Sequence, residues 1–411
     1  MIGLGYVGLP LAVAFAEQGH HVVAVDTDQR RVASIARGES YIEDISSEQL
    51  AAVSERLHPT RRYADLAPCE AVLIAVPTPL TRNREPDLGP LMSAGHALAG
   101  VLQQGQLVVL ESTTYPGTTR ERLVPLLEES GLAAGKEFNV AFSPERIDPG
   151  RTDYTLRNTP KVVGGLTARC LERAVALYEE VCDDVVQVGT PEVAELTKLL
   201  ENVFRSVNIA LVNELAMLCD RMKIDVWEVV EAAATKPYGF MSFTPGPGMG
   251  GHCLPVDPFY LAWRAREFDQ PTEFVELAGE VNQAMPYFCV DKITQALNDH
   301  EKAIRGSGIA VIGVSYKPGV GDLRESPAIK IMQLLADRGA QLTYHDDFVP
   351  ELADLGLRSQ PLEAALEGAD AAAILTAHPG LDLEAVVASA PLVVDFRGVT
   401  RGIEAKNLVR L

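Results

Sequence analysis

The sequence predicts an α/β protein in which two doubly wound domains are joined by a helical middle domain. Short apolar runs alternate with helix-length segments over the first ~185 residues. A long uninterrupted helical pattern then starts at Pro191, and a second alternation starts near residue 306. We place the three domains at residues 1–190, 191–300 and 301–411 of the 411-residue chain.

The first domain carries the strand signals of a parallel sheet. Each signal is short, rich in β-branched residues and closed by turn residues, and enough chain lies between them for crossover helices. The predicted strands are HVVAVD (21–26), EAVLIAVP (70–77), QLVVLEST (106–113) and FNVAFSP (138–144).

The middle domain opens with a predicted helix over residues 191–218, with no glycine or proline after Pro191. Proline suits the first helical turn, and apolar residues recur at three- and four-residue spacing. About 28 residues is long for a globular helix, so we expect this long central helix to link domains or to pack against a second subunit. Further helices are predicted at 225–234, 258–268 and 272–299.

The last domain repeats the architecture of the first. Strands are predicted at 309–315, 341–347, 371–377 and 392–397, with a helix at 327–339 that begins at Ser326-Pro327.

Composition favours a small-molecule ligand. The net charge of −20 opposes general attraction to nucleic acid or to an anionic membrane. No apolar stretch reaches the ~18 residues that span a bilayer, and the first residues lack the pattern of a secretory signal. The spacing of the cysteines fits neither a zinc site nor a disulfide framework, so we expect a reduced, cytoplasmic protein without a metal. The six cysteines are Cys69, Cys170, Cys182, Cys219, Cys253 and Cys289.

A phosphate-binding glycine pattern opens the chain. In Gly3-x-Gly5-x-x-Gly8 the first glycine permits a tight turn, the second lets a pyrophosphate approach and the third lets the next helix pack closely. A predicted helix (Leu9 to Gln18) follows, and then a strand that ends at Asp26. A carboxylate there accepts hydrogen bonds from a ribose diol and repels a 2′-phosphate, which favours NAD over NADP. The alternative is a glycine-rich turn without a ligand.

Only Met1 and Ile2 stand where the strand before this loop is expected. Either the start lies several residues downstream of the natural one or the chain is truncated. A first strand this short should weaken the sheet.

The segment PGPGMGGHCLPVDP (245–258) surrounds one thiol with glycine and proline. Dense glycines leave Cys253 uncovered, and prolines reduce the freedom that the loop loses on ordering. The other cysteines lie in apolar elements and are interpreted as packing residues. Alternatively, the segment is a turn that merely contains a cysteine, and Asp257 before Pro258 is simply a helix N-cap. His252 is interpreted as a loop residue.

Lys198 and Asn202 are four residues apart on the long helix and therefore share one face. Their spacing alone favours an ordinary solvated surface. The spacing of Lys198 and Asn202 therefore does not by itself predict a catalytic role for them.

Taken together, segments along the whole chain resemble the UDP-glucose/GDP-mannose dehydrogenase family of nucleotide-sugar 6-dehydrogenases. They are GLGYVGLP (3–10), VPTPL (76–80), STTYPG (112–117), SPER (143–146), AELTKLLEN (194–202), GGHCLPVD (250–257) and SYKPGVGDLRESP (315–327).

The resemblance implies a four-electron oxidation of a sugar C6 alcohol that consumes two NAD⁺. Cys253 would capture the aldehyde as a thiohemiacetal, which becomes a thioester and is hydrolysed; a thiol adds to aldehydes and leaves acyl groups readily. It implies that Lys198 and Asn202 stabilise an oxyanion and that Asp257 works with a bound water. Thr113 and Glu145 would belong to the proton-transfer network, with Glu145 the base for thioester hydrolysis.

The resemblance also assigns binding residues. For the cofactor these are Gly3, Gly5, Tyr6, Val7, Gly8, Asp26, Pro77, Thr78 and Arg324, the last reaching across a dimer. For the UDP-sugar they are Arg146, Gly248, Gly250, Gly251, Tyr316, Lys317 and Arg397. For each basic residue the alternative is an exposed charge.

Two departures bear on the sugar. UDP-glucose dehydrogenases usually carry a second glutamate four residues after the one at Glu145, and an arginine 16 residues before the cysteine; here these places are Pro149 and Pro237. Both surrounding segments resemble the branch that acts on UDP-N-acetylglucosamine or its relatives, which we predict as the substrate. UDP-N-acetylmannosamine and UDP-glucose remain alternatives, as do a single-hydride hydroxyacid dehydrogenase and a non-catalytic nucleotide-binding subunit.

Overall fold

The computed structural model describes residues 1–42, 44–81, 83–147, 153–251 and 254–411. It separates into two compact units. Unit 1 comprises Met1–Glu201 and Phe259–Pro271, and unit 2 comprises Asn202–Pro258 and Thr272–Leu411. The three domain boundaries given above stay a prediction.

Strands and helices alternate in both units. The strands are β1 (Val22–Val25), β2 (Leu57–Thr60), β3 (Ala71–Ile74), β4 (Leu107–Leu110), β5 (Asn139–Phe142), β6 (Lys161–Gly165), β7 (Val185–Val188), β8 (Gly308–Ile312), β9 (Gln341–His345), β10 (Glu351–Leu352), β11 (Leu357–Arg358), β12 (Ala371–Ile374), β13 (Val393–Asp395) and β14 (Leu408–Arg410). The helices are α1 (Gly8–Glu17), α2 (Gln29–Ala36), α3 (Ser47–Ala52), α4 (Gly89–Ala99), α5 (Val124–Leu127), α6 (Ala168–Tyr178), α7 (Pro191–Met222), α8 (Val226–Ala234), α9 (Asp257–Arg266), α10 (Glu273–Asp299), α11 (Pro327–Asp337), α12 (Leu362–Leu366) and α13 (Leu383–Ser389).

The sheet of unit 1 runs in the order β3-β4-β5-β6-β7 and is joined to the pair β1-β2 through Ile2. Ile2 bridges Val25 of β1 and Ile74 of β3, both in parallel. Its N–H donates to Leu73 O, and its carbonyl accepts from Ala75 N, each over 2.8 Å. Met1, Ile2 and Gly3 thus take the position of the strand before the glycine loop, since Met1 and Gly3 also form backbone hydrogen bonds with β1.

One pairing differs from the parallel sheet that the sequence predicts. β5 and β6 pair in antiparallel fashion, through Ala141 with Gly165 and Phe142 with Gly164, whereas β3-β4, β4-β5 and β6-β7 are parallel. The strands β3, β4 and β5, which the sequence predicts, pair in parallel as expected, whereas β6 was not predicted. β6 is antiparallel because no crossover helix lies between β5 and β6 in the described residues, and a parallel pair requires such a connection.

The sheet of unit 2 has the order β14-β13-β12-β8-β9 with parallel pairing throughout. The central strands β8, β12 and β13 are buried almost throughout, as expected where helices cover both faces, whereas the edge strands β9 and β14 are partly exposed. The fold class predicted from the sequence, α/β with two Rossmann-like doubly wound domains and a helical middle, is confirmed.

Two long helices dominate the middle of the chain. α7 starts at Pro191 as predicted and continues to Met222, four residues past the predicted end. α10 covers Glu273–Asp299 and tolerates Pro286 in its interior. Both pack apolar residues against unit 2: Ala216 and Cys219 of α7 and Cys289 and Ile293 of α10 belong to one buried cluster. Among the residues that the structure describes, no helix has the length and apolarity needed to cross a membrane.

Candidate active site

The glycine loop of unit 1 has the geometry of a dinucleotide-binding turn. Gly3 has φ +89°, and a Cβ there would lie 2.5 Å from Ala75 O. A Cβ on Gly8 would lie 1.9 Å from Gly3 O, so the start of α1 packs directly on the loop. A Cβ on Gly5 would meet nothing within 4 Å. The first and third glycines are thus required by the fold, while the second faces open space, as the approach of a pyrophosphate requires.

The N-terminus of α1 presents its backbone to this open space. Val7 precedes the helix, and no side chain caps it. Uncapped N–H groups at a helix start form a ready anion site. Gly5, Tyr6, Val7 and Gly8 therefore fit the phosphates of the predicted cofactor.

Asp26 follows β1 and is 7% exposed. Its Oδ2 accepts from Leu4 N at 2.9 Å and its Oδ1 from Asp28 N at 2.8 Å. Arg31 Nη1 lies 3.3 Å from Oδ2. The carboxylate is thereby fixed directly below the glycine loop, in the position that reads a ribose diol.

Pro77 and Thr78 follow β3, and Thr78 contacts another predicted site residue. The Thr78 hydroxyl donates to Thr113 O over 2.8 Å, and Thr78 O accepts from the Tyr260 hydroxyl over 3.0 Å. Pro77 is exposed. The carboxyl ends of β3 and β4 are thus tied together at the edge where ligands of such sheets bind.

Glu145 has both carboxylate oxygens engaged. Oε1 accepts from Arg146 N at 2.7 Å and Ile147 N at 2.8 Å. Oε2 lies 3.4 Å from Lys161 Nζ. Burial raises the pKa of Glu145, but the Lys161 charge, the two backbone N–H groups and the Lys198 charge outweigh it and hold the pKa below its ordinary value. The group is therefore an oriented carboxylate at neutral pH.

A buried cluster beside Glu145, formed by Lys161, Glu111 and Tyr178, was not predicted from the sequence, and of these three residues Lys161 contacts Glu145 directly. Lys161 Nζ donates to Glu111 Oε2 over 2.8 Å, and the Tyr178 hydroxyl donates to Glu111 Oε1. Glu111 follows β4, Lys161 starts β6 and Tyr178 ends α6. The available signal was a lysine at the head of the apolar run KVVGG, where a charge buried at 2% exposure needs a partner.

α7 brings Lys198 into unit 1. Lys198 is 9% exposed and makes no hydrogen bond or ion pair with another described residue. Glu195, one turn earlier, accepts from Gly117 N, Thr119 N and Thr119 Oγ1 at 2.6–2.8 Å. It thereby anchors the helix to the segment that follows Thr113. The Lys198 charge helps to hold the pKa of Glu145 below its ordinary value.

Arg146 was predicted to bind substrate, and its guanidinium has protein partners. It pairs with Glu201 at 2.7 Å and donates to Pro160 O over 2.6 Å. A substrate role would require Arg146 to share these contacts.

In unit 2, Asn202 and Asp257 contact each other. Asn202 Nδ2 donates to Asp257 Oδ2 over 2.5 Å, and the two residues are 4% and 2% exposed. Asp257 begins α9. The structure thus joins two residues that lie 55 positions apart in the sequence, and it makes Asp257 more than a solvent-facing cap.

The glycine-rich segment before Cys253 is held by two buried asparagines. Gly246 N donates to Asn213 Oδ1 over 3.0 Å, and Asn213 Nδ2 donates to Asn282 Oδ1 over 3.0 Å. Asn282 Nδ2 in turn donates to Ser206 O over 3.2 Å. These contacts fix the segment against α7 and α10, and no local sequence pattern predicts them.

Glycine is required at several points of the same segment. Gly248 has φ +135° and Gly251 has φ +93°. A Cβ on Gly250 would lie 2.7 Å from Tyr316 Cβ, and Gly251 N donates to Arg324 O over 3.0 Å. The predicted substrate residues Gly248, Gly250, Gly251 and Tyr316 therefore lie together in unit 2.

Arg397 points at this segment as well. Its Nη1 would lie 2.8 Å from a Cβ on Gly246, and its Nε donates to Leu375 O over 2.6 Å. Burial lowers the pKa of Arg397 to about 10, so it stays cationic at neutral pH. A half-buried cation whose guanidinium, among the described residues, hydrogen-bonds only one carbonyl suits a phosphate.

The two remaining basic candidates are more exposed to solvent. Lys317 Nζ lies 5.7 Å from the centre of the Tyr316 ring. The Arg324 guanidinium pairs with Asp322 at 2.6 Å. Cys253 and His252 lie outside the described residues.

Unit 2 has a carboxylate, Asp346, in the position that corresponds to Asp26, but the side chain of His378 covers it. Asp346 follows β9 and accepts from Val314 N at 2.7 Å and Phe348 N at 2.9 Å, as Asp26 does from its own loop. His378 Nε2 lies 3.0 Å from Asp346 Oδ2 and covers it. Unit 1 therefore has the open dinucleotide site. Within the described ranges, no cluster of His, Cys, Asp and Glu side chains is arranged to hold a metal ion.

Comparisons with known proteins agree with this geometry. The family models of the UDP-glucose/GDP-mannose dehydrogenases match the chain three times: the NAD-binding domain at residues 1–182, the central domain at 192–284 and the UDP-binding domain at 310–402.

Individual relatives carry related names. A UDP-N-acetyl-D-glucosamine 6-dehydrogenase of Pseudomonas aeruginosa is 37% identical over 355 residues, 85% of this chain and 82% of that protein. An NDP-N-acetyl-D-galactosaminuronic acid dehydrogenase of Ralstonia nicotianae is 37% identical over 97% of this chain and 95% of its own. The structure of the UDP-D-ManNAc dehydrogenase of Pyrococcus horikoshii superimposes with a TM-score of 0.91 at 34% identity, covering 100% of this chain and 97% of that one.

Unit 1 fits NAD, unit 2 holds a half-buried arginine against a glycine-rich segment, and all three domain models of one family match in order. The chain belongs to the UDP-glucose/GDP-mannose dehydrogenase family and is an NAD-dependent nucleotide-sugar dehydrogenase.

Proposed function

We propose that the enzyme oxidises the C6 alcohol of UDP-N-acetylglucosamine to the carboxylate, with Cys253 as the covalent nucleophile. The overall reaction consumes the alcohol, one water and two NAD⁺ and yields the carboxylate, two NADH and three protons. Bound NAD⁺ accepts the hydride in both oxidations.

The observation that carries this proposal is the state of Lys198. Lys198 is buried and forms no hydrogen bond or ion pair with a described residue, although its charge acts on Glu145, so a ligand or intermediate that supplies a negative charge would stabilise it. Asn202 lies one helical turn further on the same face of α7 and has its own amide oriented by Asp257. A cation and an amide donor in this relation suit an oxyanion that forms during reaction.

The first oxidation needs a proton acceptor and an aldehyde trap. The C6 hydroxyl proton passes to a water held by Asp257 as hydride leaves C6. Cys253 Sγ then bonds to the aldehyde carbon, and the carbonyl oxygen becomes an oxyanion that Lys198 and Asn202 stabilise. Preorganised donors of this kind contribute roughly 3–4 kcal/mol each to a transition state.

The second oxidation converts the thiohemiacetal to a thioester, which water must hydrolyse. The water oxygen bonds to the acyl carbon, its proton goes to Glu145, and the carbon–sulfur bond breaks with its electron pair on Cys253 Sγ. Thr113, tied to Thr78, completes the network through which protons move. The carboxylic acid then ionises.

The choice of an N-acetylated sugar rests on the two departures from UDP-glucose dehydrogenases. Pro149 and Pro237 replace a glutamate and an arginine, and the relatives described above are named for N-acetylated sugars. An N-acetyl group at C2 requires space that longer side chains would fill.

The test is a panel of UDP-N-acetylglucosamine, UDP-N-acetylmannosamine, UDP-glucose and GDP-mannose, with kcat/KM measured for each. We expect UDP-N-acetylglucosamine to exceed UDP-glucose by roughly 10- to 100-fold, the range that one pocket-filling group supplies. A higher kcat/KM for UDP-N-acetylmannosamine would change the assigned substrate but would leave the proposed four-electron mechanism unaffected. A preference for UDP-glucose would contradict the N-acetyl assignment.

We further propose that two copies of the chain pair through α7. An apolar stripe with 41–63% exposure runs along the helix at three-, four- and seven-residue spacing. It comprises Val193, Leu196, Leu200, Phe204, Leu211, Leu215, Leu218 and Met222. Lys198 and Asn202 lie on the opposite face, because residues two apart differ by about 200° around a helix.

A second copy is the occupant that this stripe fits, because an isologous interface requires one patch to match itself and a long helix does so when antiparallel. Light scattering after gel filtration should give the mass of a dimer, and Leu211→Glu should give a monomer. Val229→Glu, at a similarly exposed position on α8, is the matched control and should remain dimeric. A monomeric wild-type enzyme would contradict the pairing.

A further inference from the structure

The antiparallel strand β6 gives the cofactor edge of unit 1 a buried cation. Parallel strands β4 and β5 end at one edge of the sheet, and Glu111 and Glu145 follow those ends. Because β6 runs antiparallel to β5, its first residue, Lys161, lies at the same edge. A parallel β6 would have placed Lys161 at the opposite edge, away from both carboxylates.

Lys161 lies closer to Glu111 than to Glu145. Lys161 Nζ is 2.8 Å from Glu111 Oε2 and 3.4 Å from Glu145 Oε2. Tyr178 fixes Glu111 from the other side through its hydroxyl, and its ring centre lies 5.3 Å from Lys161 Nζ. Glu111 and Tyr178 therefore define where the ammonium is, and the ammonium defines where the second oxygen of Glu145 is.

Charge in this cluster comes from groups on several elements. Lys161 and Lys198 are the cations near Glu145, and Glu111 is the neighbouring carboxylate. Burial raises the pKa of Glu111, in spite of Lys161. Burial raises the pKa of Cys182, beside Lys161, to about 11, so this thiol adds no charge at neutral pH.

Burial raises the pKa of Glu145 and so favours its protonated form, and a protonated carboxyl cannot accept a proton from water. The Lys161 charge is the largest of the effects that oppose this burial. An opposite charge within ~4–6 Å lowers a carboxyl pKa by roughly 1–3 units. The lysine thus decides whether the group is a base.

We propose that Lys161, held by Glu111 and Tyr178, is the positioning residue that keeps Glu145 anionic and oriented for hydrolysis of the Cys253 thioester. The inference rests on the proposed function. In the step itself, the water proton moves to Glu145, the water oxygen bonds to the acyl carbon and Cys253 Sγ leaves with the electron pair of the broken bond. No covalent bond of Lys161 forms or breaks in this step.

The first test is the pH dependence of kcat in Lys161→Gln, Lys161→Arg and Glu111→Gln. Lys161→Gln removes the cation, so the acid limb should move up by about 1–3 pH units, and KM for the sugar should change little. Lys161→Arg keeps the cation and should restore the wild-type limb. Glu111→Gln removes the competing carboxylate, so its limb should move down.

Shifts of the acid limb in opposite directions in Lys161→Gln and Glu111→Gln would show an electrostatic effect, because a loss of packing alone would move the acid limbs of both variants in the same direction. An unshifted limb in Lys161→Gln, or an upward shift in Glu111→Gln, would overturn the proposal. If Lys161→Gln does not fold, Lys161→Arg and Glu111→Gln still decide it by the direction of their shifts.

The second test identifies the slowed step. Enzyme quenched during turnover with UDP-N-acetylglucosamine and NAD⁺ is weighed intact by mass spectrometry. Lys161→Gln and Glu145→Gln should both accumulate the acyl adduct. The slowing of adduct hydrolysis in Lys161→Gln should grow as the pH falls, towards about tenfold for each unit by which the pKa of Glu145 is raised, since one unit of pKa is tenfold in ionised fraction.

The two hypotheses fail in different ways. If Glu145→Gln accumulates the adduct and Lys161→Gln does not, the positioning role is refuted and the covalent mechanism stands. If Glu145→Gln forms no adduct and the wild type yields one NADH per sugar, the proposed function itself is refuted.

Discussion

Replacing Asp26 by asparagine should change the cofactor preference far more than any other property of the enzyme. Asp26 is the buried carboxylate after β1, held by Leu4 N and Asp28 N and 3.3 Å from Arg31. Asparagine has nearly the same shape but no charge, so the repulsion that excludes a 2′-phosphate disappears. Arg31 is then released to pair with that phosphate.

The magnitude follows from Coulomb's law. Two unit charges about 4 Å apart at an effective dielectric constant of about 20 interact by about 4 kcal/mol, or nearly a thousandfold. We therefore expect the ratio of kcat/KM for NAD⁺ over NADP⁺ to fall by roughly a hundredfold to a thousandfold. Because asparagine keeps only one acceptor oxygen, the free energy of unfolding should also fall by about 2 kcal/mol.

Asp346→Asn is the matched control. This carboxylate also follows a strand and accepts from Val314 N and Phe348 N, but His378 covers it. It should show a similar loss of stability with an unchanged cofactor ratio. Initial rates with both cofactors, together with denaturation curves, measure all of these quantities. An unchanged ratio in Asp26→Asn, or an equal change in both variants, would refute the assignment of unit 1 as the NAD site.

Three further predictions concern other parts of the molecule. Cys253→Ser should abolish overall acid formation while UDP-sugar binding by calorimetry persists, since a hydroxyl is poor at both addition and departure; near-normal acid formation would refute covalent catalysis. Gly246→Ala places a Cβ against Arg397 and should raise KM for the sugar about tenfold without changing KM for NAD⁺, whereas Gly402→Ala, in open space, should change neither. Burial raises the pKa of Glu195 to about 7, despite its hydrogen bonds, so its stabilising contribution is present below its ordinary pKa and is lost as pH rises through 7. Relative to Glu195→Gln, the wild type should lose about 2 kcal/mol of unfolding free energy between about pH 5.5 and pH 8, and parallel pH profiles would contradict this.

The sequence predicted most of the features that depend on local pattern. The glycines at 3, 5 and 8, the acid at Asp26 and the start of α7 at Pro191 follow from turn chemistry, strand length and helix periodicity. These signals are local, so one sequence is enough to find them. In unit 1, strands β2, β6 and β7 were missed. Pro59 lies in β2, β6 ends in two glycines, and the exposed residues of β7 obscure the usual alternation.

The contacts around the predicted catalytic residues could not be predicted from local sequence patterns. Lys161 reaches Glu111 and Glu145 only because β6 reverses direction, and a five-residue apolar run does not reveal its direction. Asn213 and Asn282 resemble ordinary polar residues of helices until their pairing across 69 positions is seen. Long-range pairing depends on packing of the whole unit, which spacing along the chain does not record.

Resemblance and structure contribute different parts of the account. The resemblance to the family implies the catalytic roles of Lys198, Asn202 and Asp257. The spacing of Lys198 and Asn202 alone favoured a solvated helix surface. The structure adds that Lys198 is buried without a described partner and that Asn202 contacts Asp257. Such a pair is expected of a preorganised site rather than of an exposed helix face.

The most direct test of the four-electron mechanism is the number of NADH formed per UDP-sugar consumed, measured by absorbance with limiting UDP-N-acetylglucosamine and excess NAD⁺. The account predicts two NADH and one uronic acid for each sugar, with no free aldehyde. A ratio of one, with an aldehyde as the product, would contradict it.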